Sequence, residues 1–138
     1  MPPRRKAPGT PREWLARAKS NLAMARREKT EEVFWEDLCF ETQQAAEKAL
    51  KAVLQSKAIR FRYVHSLEEL ITTLERHRIV VPENIKEAVV LTQYALETRY
   101  PGTFEAVSEE EYRRALDLAE QVVSWAEKVL SEKGAAEQ

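Results

Sequence analysis

Three groups of polar and aromatic side chains in this chain of 138 residues have types and spacings that suit binding chemistry. Gln43, Gln44, Glu47, Lys48 and Lys51 lie in one stretch of helical periodicity, Arg60, Arg62 and His65 in the segment after it, and Arg99 and Tyr100 just before Pro101. Amides and carboxylates make directional hydrogen bonds, guanidinium and ammonium groups hold anions, and a phenol adds a stacking face. Other chemistries lack their signatures: there is no phosphate-binding glycine loop, no GxGxxG and no HExxH. Two histidines and one cysteine do not make a zinc set, and no Glu-x-x-His pair suits a di-metal bundle. No metal and no cofactor is expected.

The element that must position the first group is Trp35 to Leu54. At 100° per residue, Trp35, Leu38, Cys39, Ala45, Ala46, Ala49, Leu50 and Val53 share one broad face, as in a helix packed on a core. A second stripe, Phe40, Gln44, Glu47 and Lys51 with Gln43 at its margin, runs along the other side. An aromatic ring and two amides in line suit contact with a neighbouring helix, another subunit or a ligand better than contact with water alone. Glu47 and Lys51 at i and i+4 can also simply pair, worth a few tenths of a kcal/mol on an exposed helix. Cys39, on the apolar face, reads as a buried inert thiol.

The remaining elements follow from caps and periodicity. Thr10, Pro11 and Glu13 open a first helix that carries Trp14, Leu15, Ala18, Leu22 and Ala25 inward and ends near Lys29. Residues 57–65, KAIRFRYVH, read as an extended loop; Ser66 and Glu69 then cap a third helix with Leu67, Leu70, Ile71 and Leu74 inward. His65, just before that cap, either fixes the start of the helix or contacts a ligand; His77 sits at the helix end, where the dipole favours an imidazole. Pro82 opens a fourth helix with Ile85, Val89, Thr92 and Leu96 in line, which stops at Thr98 to Tyr100 because of Pro101. Arg99 there can project from the turn or pair with a carboxylate such as Glu47. Ser108 and Glu111 cap a fifth helix running to about Ser131, with Tyr112, Leu116, Ala119, Val123, Ala126 and Leu130 inward. The fold class is all-α, an antiparallel up-and-down helical bundle of four long helices plus one shorter helix. Residues 1–9 read as a flexible basic arm, 10–132 as the bundle and 133–138 as a flexible tail.

Composition agrees: 43% hydrophobic and 33% charged residues with three glycines suit helices rather than a sheet of tight turns. The net charge of −1 conceals a basic first half, 14 Lys/Arg against 8 Asp/Glu in residues 1–62, which can steer a polyanion. No apolar run reaches the roughly 20 residues that span a bilayer, no signal peptide is evident, and one cysteine implies no oxidising compartment. A cytoplasmic protein with no membrane partner is expected.

CFETQQAAEKALKA at 39–52, VHSLEEL at 64–70 and TRYPG at 98–102, in this order over roughly residues 12–130, resemble the HEPN domain family. The resemblance implies a homodimer, often acting with a minimal nucleotidyltransferase in a toxin–antitoxin-like pair, and binding of nucleotide or RNA. It implies a site between the long helix and the two loops, with Gln44, Glu47, Lys51, Arg99 and Tyr100 as ligand-binding residues and Phe40 as a further stacking face. Many members of the wider superfamily are metal-independent ribonucleases with an arginine four to six residues before a histidine. Arg60 and His65 have that spacing and would be the catalytic pair, arginine on phosphate and histidine as acid or base. A non-catalytic dimerising adaptor is the alternative from another class.

Overall fold

Helices begin where local hydrogen bonds start them. A computed structural model describes residues 9–95 and 106–136 of the chain. In order these form α1 (Pro11–Ala25), α2 (Trp35–Ser56), α3 (Leu67–Arg76), α4 (Glu83–Lys86) continuing into a 3-10 helix (Glu87–Tyr94), and α5 (Glu109–Ala136). The expected all-helical bundle is observed, and no strand occurs among the described residues. All three expected caps form: the amides of Glu13, Glu69 and Glu111 donate to Thr10 Oγ1, Ser66 Oγ and Ser108 Oγ at 3.2, 3.2 and 3.1 Å. Each meets one of the amide groups that a helix start leaves without an intrahelical partner. No side chain caps α2, but Glu36 and Asp37 in its first turn complement the dipole.

α2 is the central element and packs most extensively against α1 and α5. Ala45, Ala46, Ala49 and Ala52 are fully buried, and such small side chains let neighbouring helices approach closely. Leu50, Val53 and Leu54 fill the space beside them, with Leu67, Leu70 and Leu74 of α3 and Ala119, Val122 and Ala126 of α5 in the same core. Two long-range bonds hold the start of α5: the Tyr112 hydroxyl donates to the Ala25 carbonyl (2.6 Å), and the Val107 amide to Glu36 Oε1 (2.6 Å). No described helix is long and apolar enough to cross a membrane.

Two boundaries and the form of the fourth helix differ from the sequence expectation; Leu96 and the expected end of that helix at Thr98 to Tyr100 lie outside the described residues. α1 ends at Ala25 rather than near Lys29, because Arg26 to Lys29 offer no apolar side chain to bury. α5 continues to Ala136, since one helical glycine, Gly134, costs only about 1 kcal/mol relative to alanine and does not by itself stop a helix. The fourth helix is a single α-turn that tightens into the 3-10 form. Its buried residues are Ile85, Ala88, Leu91 and Tyr94, spaced by three, and three residues per turn stack them along one line. Val89 is only partly buried and Val90 is exposed. The line is held at both sides: the Leu67 amide donates to Thr92 Oγ1 (3.1 Å) and the Tyr94 hydroxyl to the Glu111 carboxylate. Burial, then that bond, keeps the Tyr94 phenol protonated far above its usual range.

α2 and α3 end in the same reversal. Ala58 and Arg78 adopt φ of 56° and 62°, while the amides of Ile59 and Ile79 reach back to the carbonyls of Leu54 (3.0 Å) and Leu74 (3.1 Å). This is the Schellman arrangement, which more often carries glycine at the left-handed position. Its consequence is positional: the chain leaving α2 turns sharply and lays residues 59–66 beside α2 and α3.

Candidate functional site

Gln43, Glu47 and Lys51 follow one another at four-residue spacing along α2, and all three are buried: Gln43 is 0%, Glu47 4% and Lys51 5% exposed. A buried carboxylate and ammonium are tolerated only when paired and hydrogen-bonded. Lys51 Nζ donates to Glu47 Oε2 at 2.8 Å, Gln43 Nε2 donates to Glu47 Oε1 at 3.0 Å, and His65 Nδ1 lies 2.9 Å from the same Oε1. Gln43 Nε2 also donates to the His65 carbonyl at 3.1 Å, and Gln44 Nε2 donates to Gln43 Oε1 at 2.7 Å. The loop after α2 is therefore pinned to the helix through both the ring and the backbone of His65. Burial pushes the Glu47 carboxyl up, but the bonds from Lys51, Gln43 and His65 and the charge of Lys51 outweigh it and hold it below the usual range.

That ionised carboxylate can only accept, so His65 Nδ1 is the nitrogen that donates to it, and Nε2 is outside that bond. The imidazole is over half exposed, at 57%, so it is oriented from behind and accessible from solvent. The other partners of the Lys51 ammonium are aromatic faces, which attract a cation: its Nζ lies 5.6 Å from the Trp14 ring centre and 5.9 Å from that of Tyr63. Trp14 meets Phe61 edge-on at 6.3 Å, and Phe61 meets Tyr63 at 6.3 Å. Tyr63 is 85% exposed. A hydrophobic ring of that size held out in water over a buried cation is a ready stacking face.

Arg60 and Arg62 lie elsewhere on the same segment. They line a recess of about 430 Å³ against the outer side of α3, with Ser66, Glu69, Thr73 and Arg76. His65 is not among the lining residues; it turns to α2. The structure thus groups Gln44, Glu47, Lys51 and His65 and sets Arg60 in the adjoining recess. Lys48 belongs to a separate link between α1 and α2, donating to Asn21 Oδ1 (2.8 Å) while Asn21 Nδ2 donates to Glu41 Oε2 (2.7 Å). Its partial burial lowers the Lys48 pKa despite nearby Glu47 and Glu41. Phe40 is partly buried, and Arg99 and Tyr100 lie outside the described residues.

Of the occupants expected for the second stripe of α2, the structure places a neighbouring helix and the following loop over part of it. Glu47 and Lys51 are interior, and the side chains that cover them are Trp14 of α1, Tyr63 and His65. Trp14 reads in sequence as an ordinary core position of α1. The alternation Arg60, Phe61, Arg62, Tyr63 is the signal that marks the segment, since alternate residues of extended chain face opposite sides. Nothing in the sequence singles out Arg76.

A HEPN domain model matches residues 11–129. Among solved structures, TT1696 from Thermus thermophilus superimposes with a TM-score of 0.75 at 33% identity, over 87% of this chain and 98% of that one. ST0689, an archaeal HEPN homologue, superimposes with a TM-score of 0.72 at 26% identity, over 89% of this chain and 99% of that one. No curated protein matches. The helical order, the bundle and the family match over nearly the whole folded chain agree: this chain belongs to the HEPN domain family.

Proposed function

We propose that this protein binds a nucleotide or single-stranded RNA on the surface formed by residues 60–65 over α2. The single observation that carries this reading is the exposed Tyr63 ring set above the buried Lys51 and Glu47 pair, with two arginines on the same segment. Stacking on an aromatic face and guanidinium contacts to phosphate are the two general elements of single-strand recognition. In this reading Glu47, Lys51 and Gln43 make a rigid floor, while Tyr63, Arg60 and the His65 ring meet the ligand. Arg99 and Tyr100, from the family resemblance, complete the proposed contact set. Family membership further supports a cytoplasmic homodimer acting with a minimal nucleotidyltransferase in a toxin–antitoxin-like pair.

The test is fluorescence anisotropy with a fluorescein-labelled single-stranded RNA and with labelled ATP, on wild type and Tyr63→Ala. Loss of a stacking face reduces affinity by about 1–3 kcal/mol per base, roughly 5- to 150-fold. Absence of binding by wild type to either probe refutes the reading, and an intact dimer without such binding points to the adaptor. Co-expression with a minimal nucleotidyltransferase encoded nearby tests the partner by co-purification.

A second reading, a metal-independent ribonuclease, is favoured by one observation: Glu47 holds the exposed His65 ring through Nδ1, which leaves Nε2 as the nitrogen outside that bond. That nitrogen can remove the proton from a ribose 2′-hydroxyl as its oxygen attacks the adjacent phosphorus, the 5′-oxygen leaving and taking up a proton. Arg60 would hold the phosphate. RNA cleavage in EDTA that persists unchanged in His65→Ala excludes the assignment.

A further inference from the structure

We propose that the recess between residues 60–62 and the outer side of α3 is a phosphoryl-binding site, with Arg60, Arg62 and Arg76 as its cations. The inference deepens the reading above and rests on it for the source of the phosphate. Three arginines line one concavity of about 430 Å³, within the size range of small-ligand sites. Like charges gathered in this way repel one another unless an anion lies between them. Among the described residues, the Arg60 and Arg76 side chains make no hydrogen bond or ion pair within the chain. Arg62 has one partner, Glu69, at 3.3 Å, and the pair is 80% and 38% exposed. Such an open pair is weak and readily exchanged for a better acceptor.

The hydroxyls complete the donor set. Ser66 Oγ accepts the Glu69 amide, which leaves its own hydrogen free to donate, and Thr72 lines the same space. Glu68 and Glu69 are also in the lining, so the recess is not uniformly positive. Two carboxylates against three guanidiniums leave an excess of cation that favours an anion able to take bidentate bonds from planar forks. Phosphoryl oxygens do this. Phe61 joins the recess to the stacking face: it lines the cavity and meets the Tyr63 ring at 6.3 Å. A base on Tyr63 and a phosphate in the recess are therefore reached from one short segment of chain.

The experiment titrates the full-length protein with inorganic pyrophosphate, followed by ³¹P NMR line broadening, and with a labelled single-stranded RNA hexamer over a salt series. Variants are Arg60→Ala, Arg76→Ala, Arg76→Lys, Tyr63→Ala and, as a charge control, Lys128→Ala on α5; thermal melts confirm that each is folded. Expected are at least about tenfold weaker pyrophosphate binding in Arg60→Ala and Arg76→Ala, with partial recovery in Arg76→Lys. Each lost phosphate contact should also reduce the slope of log K against log salt for RNA by about 0.7. Lys128→Ala should change neither. Equal weakening by Lys128→Ala overturns the proposal, because net charge then explains the binding. RNA binding that depends on Tyr63 but keeps its salt slope in Arg60→Ala and Arg76→Ala also overturns it, while leaving the proposed function standing. Pyrophosphate binding that needs Arg76 in a protein that does not bind RNA or ATP supports the recess and removes the proposed function.

Discussion

Lys51→Met separates a buried charge pair from a surface one. The ammonium and its partner carboxylate have side chains only 6% and 5% exposed, so removing one leaves the other desolvated without its counter-charge. Breaking such a pair typically costs about 3–5 kcal/mol. The lower end, about 3 kcal/mol, is expected here, because Glu47 retains Gln43 at 3.0 Å and His65 at 2.9 Å and methionine packs well on Trp14 and Tyr63. Glu47→Gln should cost a similar amount by leaving Lys51 without an anion. The double variant Glu47→Gln/Lys51→Met carries no buried charge and should be less unstable than the sum of the two singles by about 1–3 kcal/mol. Urea denaturation followed by circular dichroism measures all four proteins, with equal m-values as the condition for comparison. A cost below about 1 kcal/mol for Lys51→Met, or strict additivity in the double variant, would refute the reasoning. Either outcome would show that water already solvates the pair.

Three further outcomes are expected. The Glu47 pKa lies below the usual 4.5 in the folded protein, so its contribution is present above about pH 4.5 and is lost as pH falls through the lowered folded value. Wild type should therefore lose urea resistance more steeply than Glu47→Gln below pH 4.5, and parallel profiles would count against the network. Ala58→Gly relieves a left-handed alanine at φ 56° and should gain about 0.5–1 kcal/mol, a Tm rise of roughly 2–4 °C by calorimetry. A fall in Tm would show that the alanine side chain has a packing role there. Cys39 is fully buried, and burial first, then the charges of Glu111 and Glu36, push its thiol up to about 12. Ellman's reagent at pH 8 should find no reactive thiol until denaturant is added, and rapid reaction of the native protein would contradict this assignment.

Local signals in the sequence determine where most of the helices start and which of their faces turn inward. Thr10, Ser66 and Ser108 start their helices because the cap and the amide it satisfies are only three residues apart. The apolar face of α2 is legible because periodicity reports which residues share a side of a helix. Ile85, Ala88, Leu91 and Tyr94 also stand at spacing three in the sequence. Their 3-10 geometry depends on partners far along the chain, Thr92 with Leu67 and Tyr94 with Glu111. The second stripe of α2 shows the same division most clearly. Gln43, Glu47 and Lys51 are aligned by sequence, but a helical wheel does not reveal what covers a face. Trp14, Tyr63 and His65, brought in by α1 and by the reversal at Ala58, turn an exposed ion pair into a buried one. Arg76 likewise joins Arg60 and Arg62 only through tertiary structure, since it belongs to the last turn of the next helix. Local hydrogen bonding and periodicity act over a few residues and can be read in the sequence; burial and charge pairing arise from distant segments meeting, which only the fold decides.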